Sequence, residues 1–147
     1  MELTEFLILA KQNTYAAGRG EAPPCRAGSH DLAFAVNGFR YLDSYFGGKR
    51  FSGQEIVYRD GKPVWSMNYY GFMLADRVPD GFSDTLHQAL MRVEATAPFR
   101  GPQRHTAGAF RYECAHRGGL PQFEGEERIF FEDKEVYRLY FHGGNVE

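Results

Sequence analysis

Short runs in which apolar and polar residues alternate make up most of the chain, and tight-turn dipeptides separate them. In the first half, the runs LAFAV and FRYLDSY flank Asn37-Gly38, and the runs QEIVYR and KPVWSMNYY flank Asp60-Gly61. Alternation places successive side chains on opposite faces of a strand, and Asn-Gly and Asp-Gly favour two-residue hairpin turns. The pattern predicts antiparallel sheet over residues 31–71.

The second half of the chain repeats the first. When Phe39 is aligned with Phe110, residues 39–71 match residues 110–143 with one inserted residue, and 11 of the 33 paired positions are identical. Unrelated sequences of average composition would match at roughly two positions. The repeat predicts a second antiparallel meander over residues 104–142.

Helical patterns precede both meanders. In the first, over residues 4–14, Thr4 is the predicted N-cap of an amphipathic helix. Before the second meander, Ser83 is the predicted N-cap, and apolar residues recur at helical spacing. That second apolar stripe consists of Phe82, Leu86, Ala89, Leu90 and Val93.

These elements predict an α+β fold in a single domain over residues 1–147. The domain is interpreted as an internal tandem duplication of a helix-plus-β-meander unit, with repeat one over residues 3–75 and repeat two over residues 80–146. Each short meander would bury its apolar face poorly alone, so we expect the two units to pair about a pseudo-twofold axis. The predicted architecture is curved antiparallel sheet with two helices.

Composition limits the classes of function. Aromatic residues make up 16% of the chain, with 13 Phe and 9 Tyr, which suits a pleated surface or an amphipathic pocket. The net charge of −2 and the lack of a Lys/Arg run predict no direct nucleic-acid binding. The N-terminal MELTEFLILAK has no basic n-region and is too short to span a bilayer, so we expect a cytoplasmic protein without membrane association.

Motifs for specific chemistry are scarce. Cys25 and Cys114 stand far apart without CxxC spacing, which predicts two free thiols, and the five histidines lack metal-ligand spacing. The chain contains no GxSxG, P-loop or GxGxxG motif. The sequence therefore predicts neither a cofactor nor a metal site.

The repeated motif F-x-G-x-E places Glu55 and Glu127 at matching positions inside strands. If the Asp-Gly dipeptide forms a two-residue turn, Ser66 lies opposite Glu55, and the same register places Arg138 opposite Glu127. A carboxylate among Phe and Val side chains is costly to bury unless a partner satisfies it.

The two glutamates allow two interpretations. In the structural one, Arg138 neutralises Glu127, while Glu55 meets one of several arginines. Those arginines are Arg26, Arg40, Arg100 and Arg111. In the functional one, one or both carboxylates line an aromatic cavity at the pseudo-dyad and bind a cationic or hydroxyl-bearing ligand.

The functional interpretation predicts a ligand site built from both repeats. Its residues are Glu55, Trp65, Asn68, Tyr69, Tyr70, Glu127, Arg138 and Tyr140. Glu55 is the predicted anchor for a cation or a hydrogen-bond donor, because the first repeat has small polar residues where the second has Arg138. Asn68 would orient the ligand between aromatic walls.

Two placements within this site stay open. In a flat hairpin, Trp65 and Tyr69 point away from Glu55, so a place in the core is an equal alternative for both. For Asp43, which aligns with Cys114, a solvated strand face is favoured over a place in the site.

Several motifs together resemble an uncharacterised bacterial family that is catalogued as a domain of unknown function. They are SHDLAF, YLDSYFGGKRFSGQEIVY, PVWSMNYYG, PFRGP, FEGEERI and YFHGG, and the likeness covers residues 3–146. In some members the module follows a helix-turn-helix DNA-binding domain, which implies a sensing or effector-binding role. The topology is also similar to gyrase-inhibitor-like effector-binding domains, which are duplicated and hold cationic drugs with a buried acid and aromatics, although no motif is shared.

Three hypotheses for function follow. The leading one is a small-molecule ligand-binding or sensing domain, whose ligand is cationic or polyhydroxylated. The second is a small enzyme that uses Glu55 and Glu127 as an acid/base pair. The third is a structural or partner-binding protein whose exposed aromatic residues form a homodimer surface.

Overall fold

Nine antiparallel strands form one continuous sheet in the computed structural model, which describes all of residues 1–147. The strands are β1 (Glu21–Ala22), β2 (His30–Val36), β3 (Phe39–Gly47), β4 (Arg50–Arg59), β5 (Lys62–Met73), β6 (Arg104–Ala107), β7 (Phe110–Gly119), β8 (Gln122–Phe131) and β9 (Lys134–Asn145). The helices are α1 (Leu3–Gln12), α2 (Phe82–Met91) and a 3-10 turn at Tyr15–Ala17. The predicted α+β class is confirmed.

The two meanders meet at the centre of the sheet. The strand order is β1-β2-β3-β4-β5-β9-β8-β7-β6, so the last strand of each meander pairs with the last strand of the other. Tyr69 on β5 lies opposite Phe141 on β9, and these two residues are equivalent in the sequence alignment. This is the arrangement expected of two related halves about a pseudo-twofold axis, while their origin by duplication stays an interpretation of the sequence.

Both helices begin close to the predicted positions, but with different caps. The α1 helix starts at Leu3, and the Glu5 carboxylate accepts a hydrogen bond from the backbone N–H of Glu2, so Thr4 is not the cap. The α2 helix starts at Phe82 after Gly81, whose φ of 89° suits glycine, so Ser83 lies inside the first turn.

Each half contains a β-bulge that the sequence analysis missed. Tyr58 pairs with Pro63 but Val57 pairs with Trp65, so Val64 is an extra residue in β5. Val136 is the corresponding extra residue in β9. A bulge reverses which side chains of the following strand face each side of the sheet, so the register predicted from an unbroken two-residue hairpin was wrong by one residue.

The two faces of the sheet differ sharply, and we call the face that carries the helices the inner face. Apolar residues of α1, α2 and the strands pack there into one buried cluster of 23 residues. Most of the outer face is exposed and polar, as is common for antiparallel sheets, although Asp31 and Ser44 are buried there. Its most exposed aromatic side chains are Tyr70 and Tyr140.

Replacing Gly125 with Ala is expected to destabilise the fold by about 1–3 kcal/mol, because the new methyl group would overlap the Phe141 ring and the Ala115 carbonyl. The measurement is the free energy of unfolding in urea. Gly119→Ala is the matched control, since only Pro121 Cδ, at 3.9 Å, lies near its added methyl group. An equal loss in both variants would contradict the proposed close contact.

Candidate functional site

Three carboxylates are buried on the inner face of the sheet. Asp43, Glu55 and Glu127 are 6%, 2% and 0% exposed. Asp43 on β3 lies directly opposite Glu55 on β4, whereas Glu127 on β8 lies opposite Cys114 on β7. Because an unpaired buried charge is costly, the partners of these three groups determine what the site can do.

Glu127 is fully engaged by protein groups. Arg100 binds it in a two-pronged ion pair, with Nε to Oε2 at 3.0 Å and Nη2 to Oε1 at 2.9 Å. The hydroxyl groups of Tyr112 and Tyr137 also donate to it, at 2.5 and 2.7 Å. Burial alone would lower the pKa of Arg100, but the adjacent Glu127 carboxylate raises that pKa well above its usual value.

Glu55 is neutralised by a lysine from the first helix. Lys11 Nζ lies 2.6 Å from Glu55 Oε1 and also donates to the Phe99 carbonyl at 2.7 Å. Internal ion pairing of both glutamates is therefore observed, but the predicted partners were wrong. Of the four arginines considered for Glu55, Arg100 belongs to Glu127, and Arg26 donates to Ser44 on the outer side of β3.

Arg138 does not neutralise Glu127. The bulge at Val136 places Leu139 opposite Glu127 and turns Arg138 to the outer face. There the Arg138 guanidinium binds both carboxylate oxygens of Glu135, each at 2.7 Å.

Asp43 is the carboxylate without a cation of its own. Its hydrogen bond comes from the Tyr69 hydroxyl, with 2.6 Å between Oη and Oδ1. Burial and the facing Glu55 carboxylate raise the pKa of Asp43 to about 7. The expectation of a solvated strand face for Asp43 was therefore wrong, because strand β3 is covered by the helices on that side.

The two halves differ in net buried charge. Two cations, Lys11 and Arg100, oppose three carboxylates, so one negative charge remains on Asp43 when all five groups are ionised. The residue aligned with Asp43 is Cys114, and burial together with Glu127 raises the pKa of its thiol to about 12. The second half thus has a neutral thiol where the first half has an acid.

A cavity of about 290 Å³ lies beside Asp43, where the β3–β4 hairpin and β5 approach α2, and we call it the inner cavity. Six aromatic residues line it: Tyr15, Tyr45, Phe51, Tyr69, Phe82 and Tyr137. Its polar side chains are Asp43, Lys49, Ser83 and Arg100. A second space of about 20 Å³, between Asp43 and the Lys11–Glu55 pair, has room for one water molecule.

The structure separates the predicted ligand-site residues into two groups. Glu55, Glu127, Trp65 and Tyr69 share the inner face, and of these Tyr69 lines the inner cavity. Trp65 is a core residue, fully buried, with its indole N–H donating to the Leu120 carbonyl at 3.1 Å.

The remaining predicted residues lie on the outer face because of the bulges. Asn68 accepts a hydrogen bond from Gln54, and Tyr70 and Tyr140 are 43% and 44% exposed. They line a depression of about 530 Å³ on the outer face, in which polar side chains outnumber apolar ones. The homodimer interpretation concerns this face and stays a prediction.

Sequence reasoning missed Lys11 and the role of Arg100, although signals for both were present. Lys11 follows Leu7 by four residues and therefore lies on the buried stripe of α1, where a lysine needs a partner. Arg100 belongs to the Pro-x-Arg motif that both repeats contain. What the sequence did not show is which carboxylate each cation reaches.

Arg100→Met is expected to lower the free energy of unfolding by about 3–5 kcal/mol, because it leaves the Glu127 charge buried without its cation. The double variant Arg100→Met/Glu127→Gln should recover part of this loss, measured by urea unfolding. Arg138→Met is the control, since its ion pair with Glu135 lies on the outer face, is only partly buried and should matter much less. Similar losses for Arg100→Met and Arg138→Met would contradict this account.

Asp43→Asn is expected to change how stability depends on pH. Asp43 keeps its proton up to about pH 7 when folded but loses it at about pH 4 when unfolded, so its contribution to stability is present at low pH and is lost as the pH rises through 7. Relative to Asp43→Asn, the wild type should lose up to about 4 kcal/mol between about pH 4 and pH 8.

The control for that titration is Glu94→Gln, which removes the same charge from an exposed loop residue. Its stability difference from the wild type should hardly vary over the same pH range. If Asp43→Asn also shows a constant difference, Asp43 has the same pKa in the folded and the unfolded chain, and the raised pKa is wrong.

Comparison with known proteins places the chain in a family without giving it an activity. No helix has the length and apolar character needed to cross a membrane, and no group of three or more His, Cys, Asp or Glu side chains could hold a metal ion. Searches of curated proteins and of solved structures found no match. A family model described as a domain of unknown function, DUF5680, matches residues 43–146, which is more than half of the chain. The chain therefore belongs to the DUF5680 family.

Proposed function

We propose that this domain binds a small organic molecule in the inner cavity and serves as a ligand-binding or sensing module. The observation that carries the proposal is the cavity itself, an aromatic-walled space with the carboxyl group of Asp43 at its wall. Small-molecule sites are typically concave, mainly apolar and supplied with a few convergent polar groups. The bacterial and cytoplasmic setting and the sensing role belong to the same proposal and rest on the sequence and its resemblance.

The polar groups of the cavity are held in place before any ligand arrives. Arg100 is fixed by its two bonds to Glu127, and Tyr69 is fixed by its bond to Asp43. The Arg100 guanidinium also lies over the Tyr69 ring, 5.9 Å from its centroid. Such preorganised groups lose little conformational freedom on binding, which favours affinity.

Asp43 also favours a second candidate function, acid–base catalysis. A carboxyl group with a pKa of about 7 beside a cavity is suited to proton transfer at neutral pH. The glutamate pair proposed from the sequence is less suited to this role, because Lys11 and Arg100 each hold one glutamate in an ion pair. Turnover of a bound probe that is lost in Asp43→Asn would identify an enzyme.

Binding can be tested by blocking the cavity. Backbone amide NMR shifts would be followed while phenethylammonium, 2-phenylethanol, phenylacetate and indole are added separately. We expect at least one probe to shift the amides of cavity residues such as Gly48 and Leu86. Ser83→Trp should abolish these shifts, because Ser83 lines the cavity and the indole ring would occupy it.

The matched control is Ser52→Trp, which places the same side chain on the outer face. It should leave the shifts of the cavity amides unchanged. The proposal is contradicted if no probe moves these amides in the wild type, or if the shifts persist in Ser83→Trp.

A further inference from the structure

We infer that the molecule bound in the inner cavity is an organic cation with a single positive charge. It pairs with the carboxylate of Asp43 and takes the place of the Asp43 proton. This inference rests on the proposed function and adds the chemical class of the ligand and a proton exchange.

The charges around the cavity show that Asp43 lacks a cationic partner. Lys11 is committed to Glu55 and to the Phe99 carbonyl, and Arg100 is committed to Glu127 through two bonds. Neither cation contacts Asp43 through a hydrogen bond or a salt bridge. The one negative charge that these two cations leave unpaired therefore lies on Asp43, whose carboxyl group lines the cavity.

The groups facing Asp43 come from every element packed around it. Across the sheet they are Tyr41 on its own strand, Glu55 on β4 and Tyr69 on β5. The covering segments contribute Tyr15 of the 3-10 turn and the two cations already described, Lys11 and Arg100. Apart from these two cations, which are paired with the glutamates, no group facing Asp43 carries a positive charge.

Lys49 is the remaining positive group of the cavity lining. Its side chain is exposed, and Nζ donates to the backbone carbonyl of Asp76 at 2.9 Å, at the rim of the cavity. An anionic ligand attracted by Lys49 would bring a second negative charge towards Asp43. A cationic ligand would instead remove the surplus charge, which is the more favourable exchange in a buried site.

The walls of the cavity fit an organic cation better than a metal ion. Tyr15, Tyr45 and Phe51 line the cavity together with Asp43, and aromatic rings attract ammonium groups through their negative faces. A hard metal ion would need several oxygen ligands, whereas no cluster of metal-ligating side chains is present. The volume of about 290 Å³ suits a molecule with a single ring.

The proton exchange can be written with its charges balanced. The carboxylic acid of Asp43 releases H⁺ to the solvent, and the carboxylate that remains pairs with the ammonium group of the ligand. The total charge inside the cavity is the same before and after binding. Affinity should therefore rise with pH while Asp43 is protonated in the free protein, and it should level off once Asp43 is ionised.

Calorimetric titration with three probes that share one ring tests this inference. The probes are phenethylammonium, 2-phenylethanol and phenylacetate, which carry a positive, neutral and negative head group. We expect phenethylammonium to bind most tightly and to bind about tenfold more tightly at pH 8 than at pH 6. Repeating the pH 6 titration in buffers of different ionisation enthalpy should show release of close to one proton.

Variants identify the group responsible. Asp43→Asn should lose most of the affinity for phenethylammonium and all of its pH dependence, whereas Glu94→Gln should retain both. Asp43→Cys, which introduces the residue found at the aligned position Cys114, should behave like Asp43→Asn. Circular dichroism and the urea midpoint verify that the variants are folded.

The outcomes separate this inference from the proposed function. If phenylacetate or 2-phenylethanol binds more tightly than phenethylammonium, or if phenethylammonium fails to bind at pH 8, the cationic class is wrong while shifts of the cavity amides still support a ligand site. If phenethylammonium binds equally at both pH values, the proton exchange is wrong. If no probe moves the cavity amides, the proposed function itself fails.

Discussion

One extra residue in each of the two central strands decides which side chains face the helices. The bulges at Val64 and Val136 bring Trp65 and Tyr69 to the inner face beside Glu55, and they send Arg138 to the outer face. Without these bulges the inner face would present small polar groups and an arginine to the helices. The apolar core and the inner cavity both depend on this register, because side chains alternate strictly along each strand beyond the bulge.

The buried carboxylates on the inner face place charged groups within the core. Each half buries a glutamate and neutralises it with a cation from a different kind of segment, a helix residue for Glu55 and a loop residue for Glu127. Truncating either cation would leave a buried charge without its partner. The Lys11 pair therefore ties α1 to the sheet, and the Arg100 pair ties the loop after α2 to it. The stability of the fold and the electrostatics of the cavity therefore depend on the same few contacts.

The difference between the halves is what makes one of them a candidate site. Where the second half has Cys114 and Phe141, the first has Asp43 and Tyr69, an acid and the hydroxyl that binds it. A surplus buried charge costs stability unless the acid is protonated or a ligand compensates it. The repeat is thus consistent with one half serving the architecture and the other serving a ligand.

The sequence by itself determined the strands of the two meanders, their hairpin turns, the α+β class and the positions of the two glutamates, because these follow from local alternation and turn chemistry. Only the tertiary structure decided the bulges, since they depend on how a twisted sheet packs against helices. It also decided the ion pairs: Lys11 and Glu55 are 44 residues apart, and local pattern carries no information on which distant charges will meet. The acid of the inner cavity was misplaced for the same reason, because only the covering helices make Asp43 a buried residue.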